Sequence, residues 1–164
     1  MSSLKKAVTK RSSAGLHEAA KNYAFLLLKF RLRSEQELRS RMKQKKYPPE
    51  VISATIDFLK EKSFIDDTIF TRAWLESRLK RSIGLRRVKN ELKLKGVNAA
   101  LIEQSIAATK GTYLEDEVVA DLIRNKARAL KGLDAQKAKQ RMYAFLIRRG
   151  FSPDVIVDNL YQIL

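Results

Sequence analysis

Residues 88–106, which read VKNELKLKGVNAALIEQSI, contain the pattern that decides the fold. The apolar residues of this stretch are spaced by four, five, five and four positions, at Val88, Leu92, Val97, Ile102 and Ile106. Residues four apart lie on one face of an α-helix. The pattern therefore predicts two helices joined by a turn, with the central apolar residue filling the corner between them.

The same spacing occurs twice more, at Leu38, Met42, Tyr47, Ile52 and Ile56, and at Met142, Leu146, Phe151, Ile156 and Leu160. The turn residues at 47, 97 and 151 give a period of about 50 residues, which lies in the range of repeat proteins. Any helical protein shows some four-residue spacing by chance, but five matched positions in three copies favour a true repeat. One leading helix precedes each pair, at 17–32, 67–81 and 112–130.

We therefore predict an all-α fold, a tandem array of three three-helix, helix-turn-helix-like repeats. The expected repeats span 16–65, 66–110 and 111–164, and the remaining helices are expected at 35–45, 49–62, 85–95, 99–108, 135–149 and 153–163. Short junctions between repeats favour contact between neighbours only, so we expect an elongated, curved molecule. Residues 1–15 carry basic side chains and no acid, and we expect them to form a disordered N-terminal tail.

The composition excludes several classes of function. The chain of 164 residues has no Cys and one His, which removes zinc–thiolate sites and His-based catalytic triads. The Asp66–Asp67 pair and the acids of 115–117 fit helix N-termini better than a metal site. We expect no enzyme activity and no cofactor. No apolar run approaches the roughly 18 residues of a membrane span, so we expect a cytoplasmic protein without membrane contact. We also expect a monomer.

The net charge of +16 is the most informative bulk property, because such a chain favours an anionic partner. Residues 78–95 contain eight Lys or Arg and one Glu. Within them, Arg86, Lys89 and Lys93 are predicted to share an outward helix face, although a solvated surface would show the same charge. The complete set of candidate nucleic-acid or filament contacts is Arg78, Arg81, Arg86, Arg87, Lys89, Lys93, Arg33, Arg39, Arg148 and Arg149.

Nearly all of the aromatic residues at apolar-stripe or turn positions are expected in the core; these residues are Tyr47, Phe64, Phe70, Trp74, Tyr143, Phe145 and Phe151. The sequence does not indicate the interleaved aromatic and basic surface that is typical of single-strand binders.

In sequence, the chain resembles the RecX family of regulatory proteins. The resemblance rests on four blocks of sequence, in the family's order and spacing: RSEQELR at 33–39, FIDDTIF at 64–70, the residues from Ser77 to Val97, and Arg149-Gly150-Phe151. The block from Ser77 to Val97 is the most specific. Thr71 departs from the family, where a small Ala is usual, and Ile83 stands where an aromatic residue is common.

The resemblance implies a non-enzymatic regulator that binds the RecA–single-stranded DNA filament in its groove. It also implies inhibition of RecA strand exchange and ATP hydrolysis, and hence a role in DNA repair, recombination and the SOS response. The residues alone leave two alternatives open. One is a general DNA- or RNA-binding protein built of helix-turn-helix-like units, and the other is an adaptor for an acidic protein.

Overall fold

The computed structural model describes residues 13–130, 132 and 134–163. Across these residues the chain forms nine α-helices and no β-strand, which confirms the all-α prediction. The helices are α1 (Ser13–Phe30), α2 (Glu35–Gln44), α3 (Pro49–Glu61), α4 (Asp67–Leu79), α5 (Leu85–Leu94), α6 (Ala99–Thr109), α7 (Glu115–Ala127), α8 (Ala135–Arg149) and α9 (Pro153–Ile163), and a 3₁₀ turn over Arg128–Leu130 follows α7.

Two helix starts differ from the prediction, and the helix ends agree with it to within three residues. Helix α1 begins at Ser13, so residues 13–15 are helical and not part of the expected tail, whose first 12 residues lie outside the described residues. Helix α7 begins at Glu115 and not at 112. The reason is a turn in which the backbone N–H groups of Thr112 and Tyr113 both donate to the carbonyl oxygen of Thr109, at 3.0 and 2.9 Å.

The first compact unit ends at Asp67 and contains α1–α3. Four of the five residues predicted to form the apolar stripe are buried in its core: Leu38, Met42, Ile52 and Ile56. The fifth, Tyr47, is partly buried because its hydroxyl donates a hydrogen bond to the backbone oxygen of Ala19 at 3.2 Å. Packing of the predicted stripe thus builds this three-helix repeat.

The second compact unit, from Thr68 to the C-terminus, contains two further cores. All ten of the predicted positions in these repeats are buried: Val88, Leu92, Val97, Ile102 and Ile106 in one, and Met142, Leu146, Phe151, Ile156 and Leu160 in the other. The prediction of three tandem three-helix repeats is confirmed; their boundaries at 65/66 and 110/111 stay a prediction.

A side-chain carboxylate satisfies the first backbone N–H of the second helix in two repeats. In the first unit, Glu35 N–H donates to Asp67 Oδ1 at 2.9 Å, and in the second unit Leu85 N–H donates to Glu115 Oε1 at 2.8 Å. The first N–H groups of a helix have no partner within the helix. The acid that begins one leading helix therefore caps the middle helix of the preceding repeat. Burial raises the pKa of both carboxyls.

Candidate nucleic-acid interface

A groove in the second unit lies between the start of α5 and the end of α8. Its volume is about 440 Å³, and its lining includes Arg86, Arg87, Glu91, Leu94 and Arg148. The structure thus brings together three of the predicted cations from two segments that are distant in sequence. The side chains of Arg86 and Arg148 make no hydrogen bond or ion pair to the described part of the chain, so both guanidinium groups are available to a partner.

Two glycines allow the close backbone contact that forms the groove. The backbone N–H of Gly84, just before α5, donates to the carbonyl oxygen of Arg149 at 2.9 Å. A Cβ atom on Gly84 would lie 2.3 Å from the carbonyl carbon of Gly150, and one on Gly150 would lie 2.2 Å from Cβ of Arg87. Gly150 also ends α8 with a left-handed φ of 90°. Only residues without a side chain fit this crossing.

Two arginines strengthen the crossing with hydrogen bonds to backbone oxygens. The Arg149 guanidinium donates to the carbonyls of Arg81 and Ser82 at 2.9 and 3.1 Å. In the opposite direction, Arg87 donates to the carbonyl of Arg148 at 3.2 Å. Carbonyls at a helix C-terminus carry partial negative charge, which suits a cation. Arg87 and Arg149 therefore hold the groove together, and Arg149 acts in the fold more than on its surface.

Glu91 binds two of the predicted contact residues, Arg78 and Arg87. Its carboxylate accepts hydrogen bonds from Arg78 Nε at 2.6 Å, from Arg87 Nε at 3.0 Å and from Trp74 Nε1 at 3.0 Å. Partial burial acts to raise the pKa of Glu91, but the bonds from Arg78, Arg87 and Trp74 outweigh it and the net pKa lies below the ordinary value. The guanidinium of Arg78 also lies 4.0 Å from the centre of the Trp74 ring. Arg78 therefore stabilises the packing of this repeat through its contacts with Glu91 and Trp74.

The structure divides the predicted ridge of Arg86, Lys89 and Lys93. Lys89 forms an ion pair with Glu103 of α6, and Lys93 is exposed and contributes to lowering the pKa of the same carboxyl. Arg86 faces the groove beside α8 instead. Arg81 is exposed but does not line the groove. The groove therefore holds only part of the basic surface that the sequence indicates.

Two predicted residues belong to the first unit, where both are tied to nearby groups. Arg33 Nε donates to the carbonyl of Leu27 at 3.2 Å, and burial, followed by the nearby Arg31, lowers the pKa of its guanidinium. Arg39 pairs with Glu35 at 2.8 Å, and the same carboxylate also pairs with Lys60 at 2.9 Å.

Sequence reasoning missed several exposed apolar and aromatic residues. Leu94 lines the groove and is 89% exposed. The one sequence feature that indicates this exposure is its position away from the Val88–Leu92 stripe. The expectation of core packing is wrong for Phe64 and Tyr143, which are 49% and 36% exposed. Phe64 nevertheless contacts the Phe25 ring edge-on, with 4.9 Å between the ring centres. Tyr143 follows buried Met142 on α8.

Comparison with known proteins agrees with this architecture. The family models for the first, second and third three-helix domains of RecX match residues 20–59, 66–106 and 115–158. This chain belongs to the RecX family. Its relatives include the regulatory protein RecX of Streptomyces coelicolor, with 32% identity over 90% of this chain and 78% of the relative. RecX of Actinobacillus pleuropneumoniae is 35% identical over 81% of this chain and 85% of its own length.

Solved RecX structures share the fold. The crystal structure of RecX from Lactobacillus salivarius gives a TM-score of 0.78 at 18% identity, covering 92% of this chain and 97% of that one. A second RecX crystal structure gives 0.77 at 18% identity, covering 88% and 73%. RecX proteins are named as regulatory proteins. No helix among the described residues is both long and apolar enough to cross a membrane.

Proposed function

We propose that this RecX protein is a monomeric, cytoplasmic, non-enzymatic regulator of RecA. It binds in the helical groove of the RecA–single-stranded DNA filament and inhibits RecA. The observation that carries the proposal, together with family membership, is the groove that Arg86 and Arg148 line. The acid in its described lining, Glu91, is paired with Arg78 and Arg87 and leaves Arg86 and Arg148 without an acid partner among the described residues. A nucleoprotein filament presents phosphates and acidic side chains together, and both attract such guanidinium groups.

The groove also presents an apolar side chain to the partner. Leu94 is 89% exposed beside Arg86 and Arg148, and exposed leucine gains nothing from DNA phosphates. Burial of a leucine side chain against a protein contributes roughly 1.5–3 kcal/mol. A surface that combines free arginines with an exposed leucine therefore fits a protein-coated strand better than bare DNA.

Helix charge argues against the alternative of a general helix-turn-helix DNA-binding protein. In such units the last helix enters the major groove and contacts the bases. Two of the three corresponding helices here, α6 and α9, contain no Lys or Arg, and they carry Glu103, Asp154 and Asp158. The third, α3, contains one lysine and three acids. These carboxylates would face DNA phosphates at short range. The second helices of the repeats, α2, α5 and α8, carry twelve Lys or Arg in total.

The test is a titration of RecA ATP hydrolysis on single-stranded DNA, run beside binding to the same strand without RecA. We expect the wild type to inhibit hydrolysis and to bind the filament much more tightly than either component. The double variant Arg86→Glu with Arg148→Glu should weaken inhibition about tenfold or more, since two attractive contacts become repulsive.

A matched control reverses two exposed lysines of the same unit outside the groove, Lys80→Glu with Lys110→Glu. This variant has the same net charge, so a loss that reflects charge alone would appear in both variants. Equal loss in the two variants, or equal wild-type affinity for bare and RecA-coated strands, would contradict the proposal.

A further inference from the structure

The third repeat has a second groove, between α8 and α9, which the filament proposal does not use. Its volume is about 340 Å³, at the lower end of the range for small-ligand sites, roughly 300–1,000 Å³. Buried Leu160 and half-exposed Val157 contribute apolar surface, and the rings of Tyr143 and Tyr161 border it. Tyr161 is 80% exposed in the last turn of α9, although an aromatic ring of this size normally packs against the core.

The polar side chains of the groove are cationic or neutral. Lys139 Nζ lies 5.3 Å from the centre of the Tyr161 ring, and Gln136 and Gln140 add two carboxamides from the same face of α8. A carboxamide both donates and accepts hydrogen bonds. No acidic side chain lines this groove among the described residues. The site therefore presents aromatic faces, neutral hydrogen-bonding groups and one positive charge.

This combination matches an unpaired nucleobase attached to its phosphate. A base has an apolar π face and polar edges, and proteins that bind single strands combine aromatic stacking with cations that follow the backbone. A peptide helix would instead need a longer apolar groove for anchors spaced over two turns. Lys139, which lines the groove, supplies a cation for an adjacent phosphate.

We propose that the α8–α9 groove binds an unpaired base of single-stranded DNA, which stacks on Tyr161 and has its edge contacted by Gln136 or Gln140. Lys139 contacts the neighbouring phosphate. The third repeat thereby touches the strand itself. This site does not depend on the filament proposal, because it acts on DNA without RecA.

The experiment compares two labelled strands of 12 nucleotides, oligothymidine and an abasic strand with the same number of phosphates. Fluorescence anisotropy at low salt measures their binding to the full chain. We expect tighter binding of oligothymidine by the wild type. Tyr161→Ala should weaken oligothymidine binding about fivefold to a hundredfold, the range for loss of one stacked base, and should leave abasic binding within about twofold.

Two further variants separate stacking from general effects. Tyr161→Phe keeps the ring and should retain wild-type affinity, whereas Lys139→Ala should weaken both strands and reduce the salt dependence by about one unit. Phe30→Ala removes another exposed ring, 75% exposed on α1, and should change neither affinity. In addition, a strand with 5-iodouracil should photo-cross-link to Tyr161 or Tyr143, as mapped by mass spectrometry.

Equal wild-type affinity for the thymidine and abasic strands would overturn the proposal, as would cross-links that map only to other regions. A third contrary result is a Tyr161→Ala variant that binds oligothymidine normally but the RecA filament weakly. That outcome would make the groove a protein-docking surface. Failure of the filament test above would leave the measurements on the thymidine and abasic strands and the cross-linking unchanged, because these contain no RecA.

Discussion

At the residue scale, Thr71 on α4 is a buried side chain whose hydroxyl finds no hydrogen-bond partner among the described residues. A buried polar group without a partner costs roughly 1–3 kcal/mol. We expect Thr71→Ala to raise the free energy of unfolding by about 1 kcal/mol, because the unpaired hydroxyl is removed and Ala favours a helix. Urea unfolding followed by circular dichroism measures the change.

Thr55 provides the matched control, since it is equally buried in a helix but donates to the carbonyl of Val51 at 2.8 Å. Thr55→Ala loses a satisfied hydrogen bond and should lower the free energy of unfolding by about 0.5–1.5 kcal/mol. If both substitutions stabilised the protein equally, helix propensity alone would explain the result and the argument from the unpaired hydroxyl would fail.

At the element scale, the helices were predictable because their signals are local. The capping box at Ser34, in which Glu37 N–H donates to the Ser34 hydroxyl at 3.1 Å and Ser34 N–H donates to the Glu37 carboxylate at 3.3 Å, was present in the sequence as Ser-x-x-Glu. The buried stripes of α5 and α8 likewise follow from four-residue spacing. Each of these signals lies within one helix or one turn.

The pairing of charges between elements was not predictable in the same way. Glu91 is the only acid in residues 78–95, yet nothing in its spacing shows that Arg78 and Trp74 of the preceding helix point towards it. The approach of Gly84 to Gly150 also joins positions far apart in the chain. Contacts of this kind depend on how the helices pack, so the sequence indicated the basic residues of the groove but not which of them remain unpaired.

The crossing of the turn before α5 with the end of α8 gives a prediction about packing between elements. Gly84 has an ordinary φ of −67°, so Gly84→Ala tests the close approach without adding backbone strain. The new Cβ atom would overlap the backbone of Gly150. We expect the free energy of unfolding to fall by about 1–3 kcal/mol or more, measured by urea unfolding with Trp74 fluorescence.

Gly111 supplies the comparison for this substitution, because a Cβ atom there meets nothing within 4 Å. Gly111→Ala should be neutral or stabilise the protein by up to about 1 kcal/mol, through the lower entropy of the unfolded chain. A Gly84→Ala variant as stable as Gly111→Ala would mean that the two repeats separate easily at this crossing.

At the scale of the whole molecule, the balance of charge matters more than any single ion pair. The chain has 34 Lys and Arg against 18 Asp and Glu, so at least 16 cations lack an acid even if every acid neutralises one of them. Pairs such as Arg78–Glu91 and Arg39–Glu35 use some of the acids inside the fold. The remaining excess repels itself in the compact state and is relieved by anions.

Salt should therefore stabilise this protein, although it weakens individual ion pairs. Raising NaCl from about 20 mM to 500 mM shortens the Debye length from roughly 20 Å to about 4 Å, which screens repulsion between distant cations more than it screens adjacent, half-buried pairs. We expect Tm at pH 7 to rise by about 2–4 °C, which corresponds to roughly 1 kcal/mol for a chain of this size. Circular dichroism at 222 nm measures it, and KCl at the same ionic strength should give the same rise if screening is the cause. A Tm that falls with salt would instead mean that the ion pairs around Glu91 and Glu35 dominate, and that the excess positive charge is spread too widely to attract a polyanion strongly.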